Sequence, residues 1–422
     1  MKNIKIGVIG LGYVGLPVAV LFAKKYKVVG YDINKRRIEA LNNYHDETLE
    51  IASNKLKDAI DNNLTISNNI ELARDCNIYI ITVPTPINHD KTPNLSMLLN
   101  ATELVASIIS KGDIVIYEST VFPGCTEEEC VPVLEKISKL KFNYDFYCGY
   151  SPERINPGDK KHTIEKIVKI TSGSLPKVAN KIDKLYSSVI EAGTFKASSI
   201  KVAEAAKVIE NAQRDINIAF VNELSKIFSK INIDTNDVLE AASSKWNFLN
   251  FKPGLVGGHC IGVDPHYLAD KSISMGYEPK IILSGRELND SMGEYVANEV
   301  MDLLKKSKKK LKGLKILILG VTFKENCPDY RNTKIVDVIK KLKKQLIDVD
   351  LYDPWVNTES FYKDYSLKVH NKIPNNKYDA IILAVSHNSF LKIDINKLKV
   401  DNKSIIYDVK GFFDNKLVTK RL

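Results

Sequence analysis

The run Gly10-Leu-Gly12-Tyr13-Val14-Gly15, set between a strand and a helix and followed at the right distance by Asp32, constrains the fold more tightly than anything else in the chain. Ile4–Ile9 is a short apolar strand, Leu16–Lys25 is helical in pattern, and Lys27–Tyr31 reads as the second strand. In such a βαβ unit the first glycine makes the turn. The second lets a pyrophosphate reach the backbone, and the third lets helix and strand pack closely. The N–H groups that open the helix then face the phosphates. A carboxylate at Asp32 accepts from ribose hydroxyls and repels a 2′-phosphate, so NAD is the predicted cofactor; Lys35, Arg36 and Arg37 close behind soften the preference over NADP.

The alternation continues beyond this unit. Asn77–Val83 reads as a strand ending in Pro84-Thr85-Pro86, and Asp113–Glu118 as another ending in Ser119-Thr120. Tyr147–Tyr150 leads into Ser151-Pro152-Glu153-Arg154, again polar residues at a strand end, and Ile164–Thr171 closes this first domain. Ligands of open parallel sheets bind at the C-terminal ends of the strands, so these residues are site candidates. For Ser119 and Thr120 the plainer reading is loop capping. Later, Leu314–Leu319 with Gly320, and Val349–Tyr352 with Asp353, repeat the opening pattern, and Ile381–Val385 and Ser404–Val409 add further strands. This second domain lacks the full glycine triplet and is expected to bind something other than a complete dinucleotide. The charged insert Thr322–Thr333, with Lys324 and Arg331, lies where a phosphate-bearing ligand would be met.

Ser198–Asn232 has no Gly or Pro and carries an apolar stripe at helical spacing. A helix of that length, ~50 Å at 1.5 Å per residue, bridges domains and offers a dimer surface. On it Lys207 and Asn211 share a face, with Glu204 and Arg214 a turn away on either side. Phe251–Leu268 then carries Cys260 between Gly257-Gly258 and Gly262, with Asp264 four residues on. A glycine-rich loop lets a ligand reach the sulfur, and a carboxylate beside a thiolate can move protons. Taken alone, a turn holding one buried cysteine explains the same residues. Ile281–Lys305 reads as further helix. The predicted fold is therefore α/β, with two Rossmann-like doubly wound domains (1–196 and 306–422) joined by a long central helix and an all-α middle region (197–305).

With 422 residues the chain is too long for a single core. Its formal charge of +10 resides in runs such as Lys305–Lys312 and Lys340–Lys344, without interleaved aromatics. Such runs are solvated helix faces, so nucleic-acid binding is not expected, whereas attraction for anionic substrates is. The six cysteines show neither a CxxC pair nor zinc-type spacing and fit reduced thiols in a cytoplasmic protein. No apolar run reaches membrane-spanning length.

Taken together, Gly10–Gly15 with Asp32, Ser119-Thr120, Ser151-Pro152-Glu153, Lys207 with Asn211, Gly257-Gly258-x-Cys260 with Asp264, and Lys324 through Arg331 resemble the UDP-glucose/GDP-mannose dehydrogenase family over essentially the whole chain. The resemblance implies oxidation of a sugar C6 alcohol to a carboxylate with two NAD⁺, no metal, and a covalent intermediate on Cys260. Lys207 and Asn211 would stabilise alkoxide and oxyanion charge, Asp264 and Thr120 would hold or activate water, and Glu153 would assist acid–base steps. It further implies cofactor contacts from Gly10, Gly12, Tyr13, Val14, Gly15, Asp32, Arg37, Thr85, Ser119, Thr120 and Arg331. Substrate contacts would come from Glu153, Arg154, Lys207, Asn211, Phe251, Gly257, Gly258 and Lys324. Lys410 occupies a place where relatives often carry arginine. A homodimer is the expected assembly.

The loop departs from the members acting on UDP-glucose or GDP-mannose, which place Pro-Lys-Asp after the cysteine. Here His259 precedes the thiol and Val263-Asp264-Pro265 follows it, which is similar to the branch that oxidises UDP-N-acetylhexosamines. The expected substrate is UDP-GlcNAc or UDP-GalNAc, with a product destined for surface polysaccharide. UDP-N-acetylmannosamine and UDP-glucose stay open as alternatives. A two-electron β-hydroxyacid-type dehydrogenase and a NAD-responsive binding protein are more distant readings.

Overall fold

The computed structural model describes residues 4–88, 90–154, 163–258 and 261–422. They group into two compact units, Met1–Glu210 with His266–Tyr277, and Asn211–Pro265 with Glu278–Leu422.

The first unit is built on a six-stranded sheet of β1 (Lys5–Ile9), β2 (Lys27–Tyr31), β3 (Leu64–Ser67), β4 (Ile78–Ile81), β5 (Ile114–Tyr117) and β6 (Tyr147–Tyr150). All pairs are parallel and the order is β3-β2-β1-β4-β5-β6, so the strand order reverses between β1 and β4. The strands read as nearly unbroken apolar runs because helices cover both faces of such a sheet. The first helix, Gly15–Ala23, is buried along its whole length, and its Leu16 and Val20 pack with Ile6, Val8, Ile80 and Ile116 from the strands. Strand β3 has no counterpart in the sequence reading: Leu-Thr-Ile-Ser is too short and too polar to stand out. Ile164–Thr171 divides into a 3₁₀ turn (Ile164–Lys166) and β7 (Lys169–Thr171). Strand β7 pairs in parallel with β8 (Thr194–Lys196) in a separate two-stranded sheet.

The second unit holds a five-stranded parallel sheet of β9 (Lys315–Leu319), β10 (Asp348–Tyr352), β11 (Ala380–Leu383), β12 (Ile405–Asp408) and β13 (Lys420–Arg421), ordered β10-β9-β11-β12-β13. The helix Lys280–Lys306 lays Met292, Val296, Val300 and Leu304 into one core with Ile316, Ile318, Val338 and Ile382. That shared core, not the boundaries of the chain's segments, makes this helix part of the second unit. The helix Ile335–Lys343 buries Ile335, Val338, Ile339 and Leu342 and turns Lys340 and Lys343 outward, the spacing of an amphipathic helix.

The long helix runs from Ile200 to Lys230, two residues shorter at each end than the uninterrupted pattern. Its buried polar residues anchor neighbouring segments of the second unit. Asn222 hydrogen-bonds Gly254 through both its amide atoms, at 2.8 and 3.0 Å, and so holds the start of the cysteine loop. Asp215 pairs with Arg286 at 2.5 Å and accepts from Asn289 at 2.8 Å. Burial raises the proton affinity of Asp215, and Arg286 opposes that rise. No helix among the described residues is long and apolar enough to cross a membrane.

Removing one partner of a buried ion pair strands the other charge in a poor solvent. Arg286→Met is expected to lower unfolding free energy by about 3–5 kcal/mol, measured by urea denaturation at neutral pH. Arg286→Met with Asp215→Leu should recover most of it.

Candidate active site

At the open end of the first sheet, Gly10 takes φ +94°, a conformation suited to glycine, and its N–H donates to Tyr31 at 2.8 Å. A Cβ on Gly15 would lie 1.8 Å from the Gly10 carbonyl oxygen, so the helix packs against the loop only because that position is glycine. At Gly12, by contrast, a Cβ would meet nothing within 4 Å, and the residue is exposed. The backbone is therefore bare where a pyrophosphate would approach. Asp32 accepts Leu11 N–H through one oxygen and Asn34 N–H through the other, both at 2.8 Å, and stays half-buried. Each oxygen keeps a lone pair for a ribose hydroxyl. Tyr13 and Val14, also half-buried, complete the loop.

Arg37 lies buried under this loop. Its Nε donates to the Leu11 carbonyl at 3.0 Å and its guanidinium pairs with Asp46 at 2.7 Å. Burial works against the Asp46 charge, but Ile51 N–H, Thr48 and Arg37 hold its carboxyl below the usual range. Arg37 thus braces the glycine loop at Leu11, the residue whose N–H Asp32 accepts.

The loops after β4 and β5 are sewn together along the sheet's edge. Thr85 donates to the Thr120 carbonyl at 2.6 Å, and Ser119 donates to the Val83 carbonyl at 2.6 Å. Tyr150 donates to the Ser119 carbonyl at 3.1 Å and Tyr267 to the Pro86 carbonyl at 3.0 Å. The Ser119 hydroxyl is therefore engaged in holding the loop, as the plainer sequence reading had it. Beyond it, Glu204 on the long helix accepts the N–H groups of Gly124 and Thr126 at 2.5 and 2.9 Å. Burial pushes its carboxyl up to about 7 in spite of them.

Glu153 is 6% exposed and its carboxylate meets the ammonium of Lys169 at 2.6 Å, while Lys169 also meets Glu118 at 2.7 Å. Arg154, its neighbour, pairs with Glu210 at 3.1 Å. Lys169 and Glu118 escaped the sequence reading. The signal was there, as a lysine between Val168 and Ile170 in an otherwise apolar run. Lys207 is 5% exposed, one helical turn before Asn211.

In the second unit Asn211 donates to Asp264 at 2.5 Å, and the two residues are 0% and 2% exposed. The other amide atom, Asn211 Oδ1, is buried with no partner among the described residues. An orphaned acceptor of that kind marks a place where a ligand or water completes the bonding. Cys260 and His259 lie outside the described residues. Asp264 opens the helix Asp264–Ser274 that follows them.

The start of the same loop is strapped to the insert after β9. Gly258, at φ +82°, donates to the Arg331 carbonyl at 3.1 Å, and its own carbonyl accepts from Asn332 at 3.3 Å. A Cβ there would sit 2.8 Å from the Phe323 ring. Arg331 forms a two-pronged pair with Asp329 at 2.9 and 2.6 Å. Gly257, Phe323, Thr333 and Lys410 surround a small cleft, with Phe251 and Lys324 half-buried. Burial pushes the Lys410 ammonium below its ordinary range, with the Lys252 charge adding to that. Cys327 in the insert is buried, which pushes its thiol up to about 11, as befits an inert packing residue.

The second sheet repeats the loop of the first with a different ending. Gly320 donates to Tyr352 at 2.9 Å, and Asp353 accepts Val321 N–H at 2.8 Å. Asp353, however, is fully buried and bonded also by Trp355 N–H and His387, at 2.8 and 3.1 Å. Its complete burial sets it apart from Asp32, which stays half-open to a ribose.

Comparison with known proteins places these features in one lineage. The chain belongs to the UDP-glucose/GDP-mannose dehydrogenase family: its NAD binding domain matches residues 4–190, its central domain 201–291 and its UDP binding domain 317–415. The chain is 56% identical to a UDP-N-acetyl-D-glucosamine 6-dehydrogenase of Salmonella typhi, over 97% of this chain and 96% of that protein. It is 52% identical to a protein of the same name from Pseudomonas aeruginosa, over 98% of each. Among solved structures it is similar to a UDP-D-ManNAc dehydrogenase from Pyrococcus horikoshii, with a TM-score of 0.89 and 29% identity over 99% of this chain and 98% of that one.

A carboxyl raised by burial contributes stability that is present below its unfolded value and lost as pH rises through its folded one. For Glu204 that window runs from 4.5 to about 7. Denaturation between pH 4.5 and 8 should therefore show the native chain losing about 3 kcal/mol more than Glu204→Gln, which has no proton to lose.

Proposed function

We propose that this chain oxidises C6 of UDP-N-acetyl-D-glucosamine to the carboxylate, a four-electron reaction using two NAD⁺ per sugar. What carries the reading is the identity above 50% with relatives of that name across nearly the whole chain. The buried Asn211–Asp264 pair beside the cysteine loop supports it. NAD would be held by the loop Gly10–Gly15 and Asp32, and when bound it supplies the hydride acceptor for both oxidations.

The chain's own residues supply the remainder. The Lys207 ammonium and the Asn211 amide stabilise negative charge on the reacting oxygen in a site shielded from water. A bare aldehyde has no tetrahedral carbon from which a second hydride can leave. The Cys260 thiolate adds to that carbon, forming a C–S bond and restoring a tetrahedral centre. After the second oxidation the thioester is cleaved by water that Asp264 activates, which returns the thiolate and releases the carboxylate. Glu153 takes up protons as these steps proceed. Gly257, Gly258, Lys324 and Lys410 form the part of the second unit that meets the nucleotide sugar.

The reaction's soluble substrates and the buried free thiols Cys76, Cys125, Cys130, Cys148 and Cys327 suit a cytoplasmic protein. The long helix leaves Phe220 and Ile227 exposed at 54% and 48%, seven residues apart. A second copy covering that apolar face makes the protein a homodimer. Light scattering is expected to give twice the chain mass, and Phe220→Asp to give the single-chain mass.

Two NADH per UDP-N-acetyl-D-glucosamine are expected. Cys260→Ser should form less than a hundredth of the wild-type uronate, with product halted at the aldehyde. One NADH per sugar, or uronate at wild-type rate in Cys260→Ser, rejects the covalent four-electron route.

A further inference from the structure

Four ionisable side chains are closed off together behind the edge of the first sheet. Lys169, at the start of β7, is 3% exposed, and its Nζ lies 2.6 Å from one Glu153 oxygen and 2.7 Å from one Glu118 oxygen. Glu118, just past β5, is 2% exposed, and its second oxygen accepts from the Tyr186 hydroxyl on the helix Pro176–Ser187. The second oxygen of Glu153 accepts Arg154 N–H at 2.7 Å. Lys169 also sits over the Tyr186 ring, 5.4 Å from its centroid. Among the described residues, Arg154 beside Glu153 pairs with Glu210 on the long helix.

The balance of charge is uneven, two carboxylates to one ammonium. Burial opposes the Lys169 charge, but Glu118 and Glu153 outweigh it and hold the ammonium above its ordinary range. Burial raises the proton affinity of Glu118, and the repulsion of Glu153 adds to that against the pull of Lys169. Both oxygens of Glu153 face donors, so a proton on either would have to be placed against an N–H group.

We propose that Lys169 is a positioning residue for Glu153: its ammonium, anchored from behind by Glu118 and Tyr186, holds the Glu153 carboxylate in one orientation and separates it from the like charge of Glu118. The inference rests on the reading of Glu153 as part of the reaction site. It adds what that reading leaves open, the groups that hold Glu153 in place. Without the ammonium, two buried carboxylates would face each other, and like charges at that range take up a proton.

The test is the pH dependence of kcat/KM for NADH formation from UDP-N-acetyl-D-glucosamine, with melting temperature recorded separately. Lys169→Met leaves two buried carboxylates with no cation between them, so the acidic limb should move up by about one unit or more. Lys169→Arg, which keeps the charge, should leave the limb near its wild-type position. Glu118→Gln, nearly isosteric and relieved of one like charge, should move it down. These opposed shifts are not what a purely structural role produces, and Glu118→Gln carries the test if Lys169→Met fails to fold. A limb unmoved in folded Lys169→Met or in Glu118→Gln, with Glu153→Gln inactive, overturns the role of Lys169 alone. Wild-type activity in Glu153→Gln overturns the reading of Glu153 and the role of Lys169 with it.

Discussion

A single hydrogen bond, from the Asn211 amide to the Asp264 carboxylate, ties the segment after Cys260 to the helix that carries Lys207. Both groups are shut away from water, so the bond is strong and costly to break. Every chemical role assigned to the cysteine loop depends on it. Asn222 repeats the device three helical turns further on by gripping Gly254, and the strap from Gly258 to Arg331 and Asn332 adds a further attachment. A glycine-rich loop is soft by composition. Here polar anchors fasten the described segments on either side of the thiol, and Asn211 Oδ1, with no partner among the described residues, is an acceptor that a substrate hydroxyl or a water would meet.

The two sheets show one backbone device put to two uses. In each, a glycine at positive φ ends the first strand and an aspartate after the second strand accepts the next N–H. Asp32 is left half-buried with lone pairs to spare, whereas Asp353 is consumed by His387 and Trp355 N–H. The difference lies in what surrounds each acid, not in the acid. It separates two similar loops, of which the first keeps its acid accessible.

Much of this was legible in the sequence. Strands β2 and β6 fall where the apolar runs place them, and the glycine spacing foretold both the bare backbone at Gly12 and the tight packing at Gly15. These features are local, set by residues adjacent in the chain. What was hidden depends on residues far apart. The meeting of Lys169 with Glu118 joins positions 51 residues apart, and a strand lysine read alone looks like an edge residue facing water. The Ser119 hydroxyl showed itself as a loop tie only once Val83 was seen beside it. Arg37 was expected at the cofactor, and its burial on Leu11 and Asp46 followed from the path of a loop that sequence pattern does not trace.

Mass spectrometry of enzyme quenched during turnover of UDP-N-acetyl-D-glucosamine with NAD⁺ tests the central claim most directly. The comparison is between the native chain and Asp264→Asn, in which thioester cleavage is expected to be slower. The account predicts the oxidised sugar nucleotide joined to the peptide containing Cys260, more abundant in the variant. Uronate formed while that peptide stays unmodified in both proteins would contradict it.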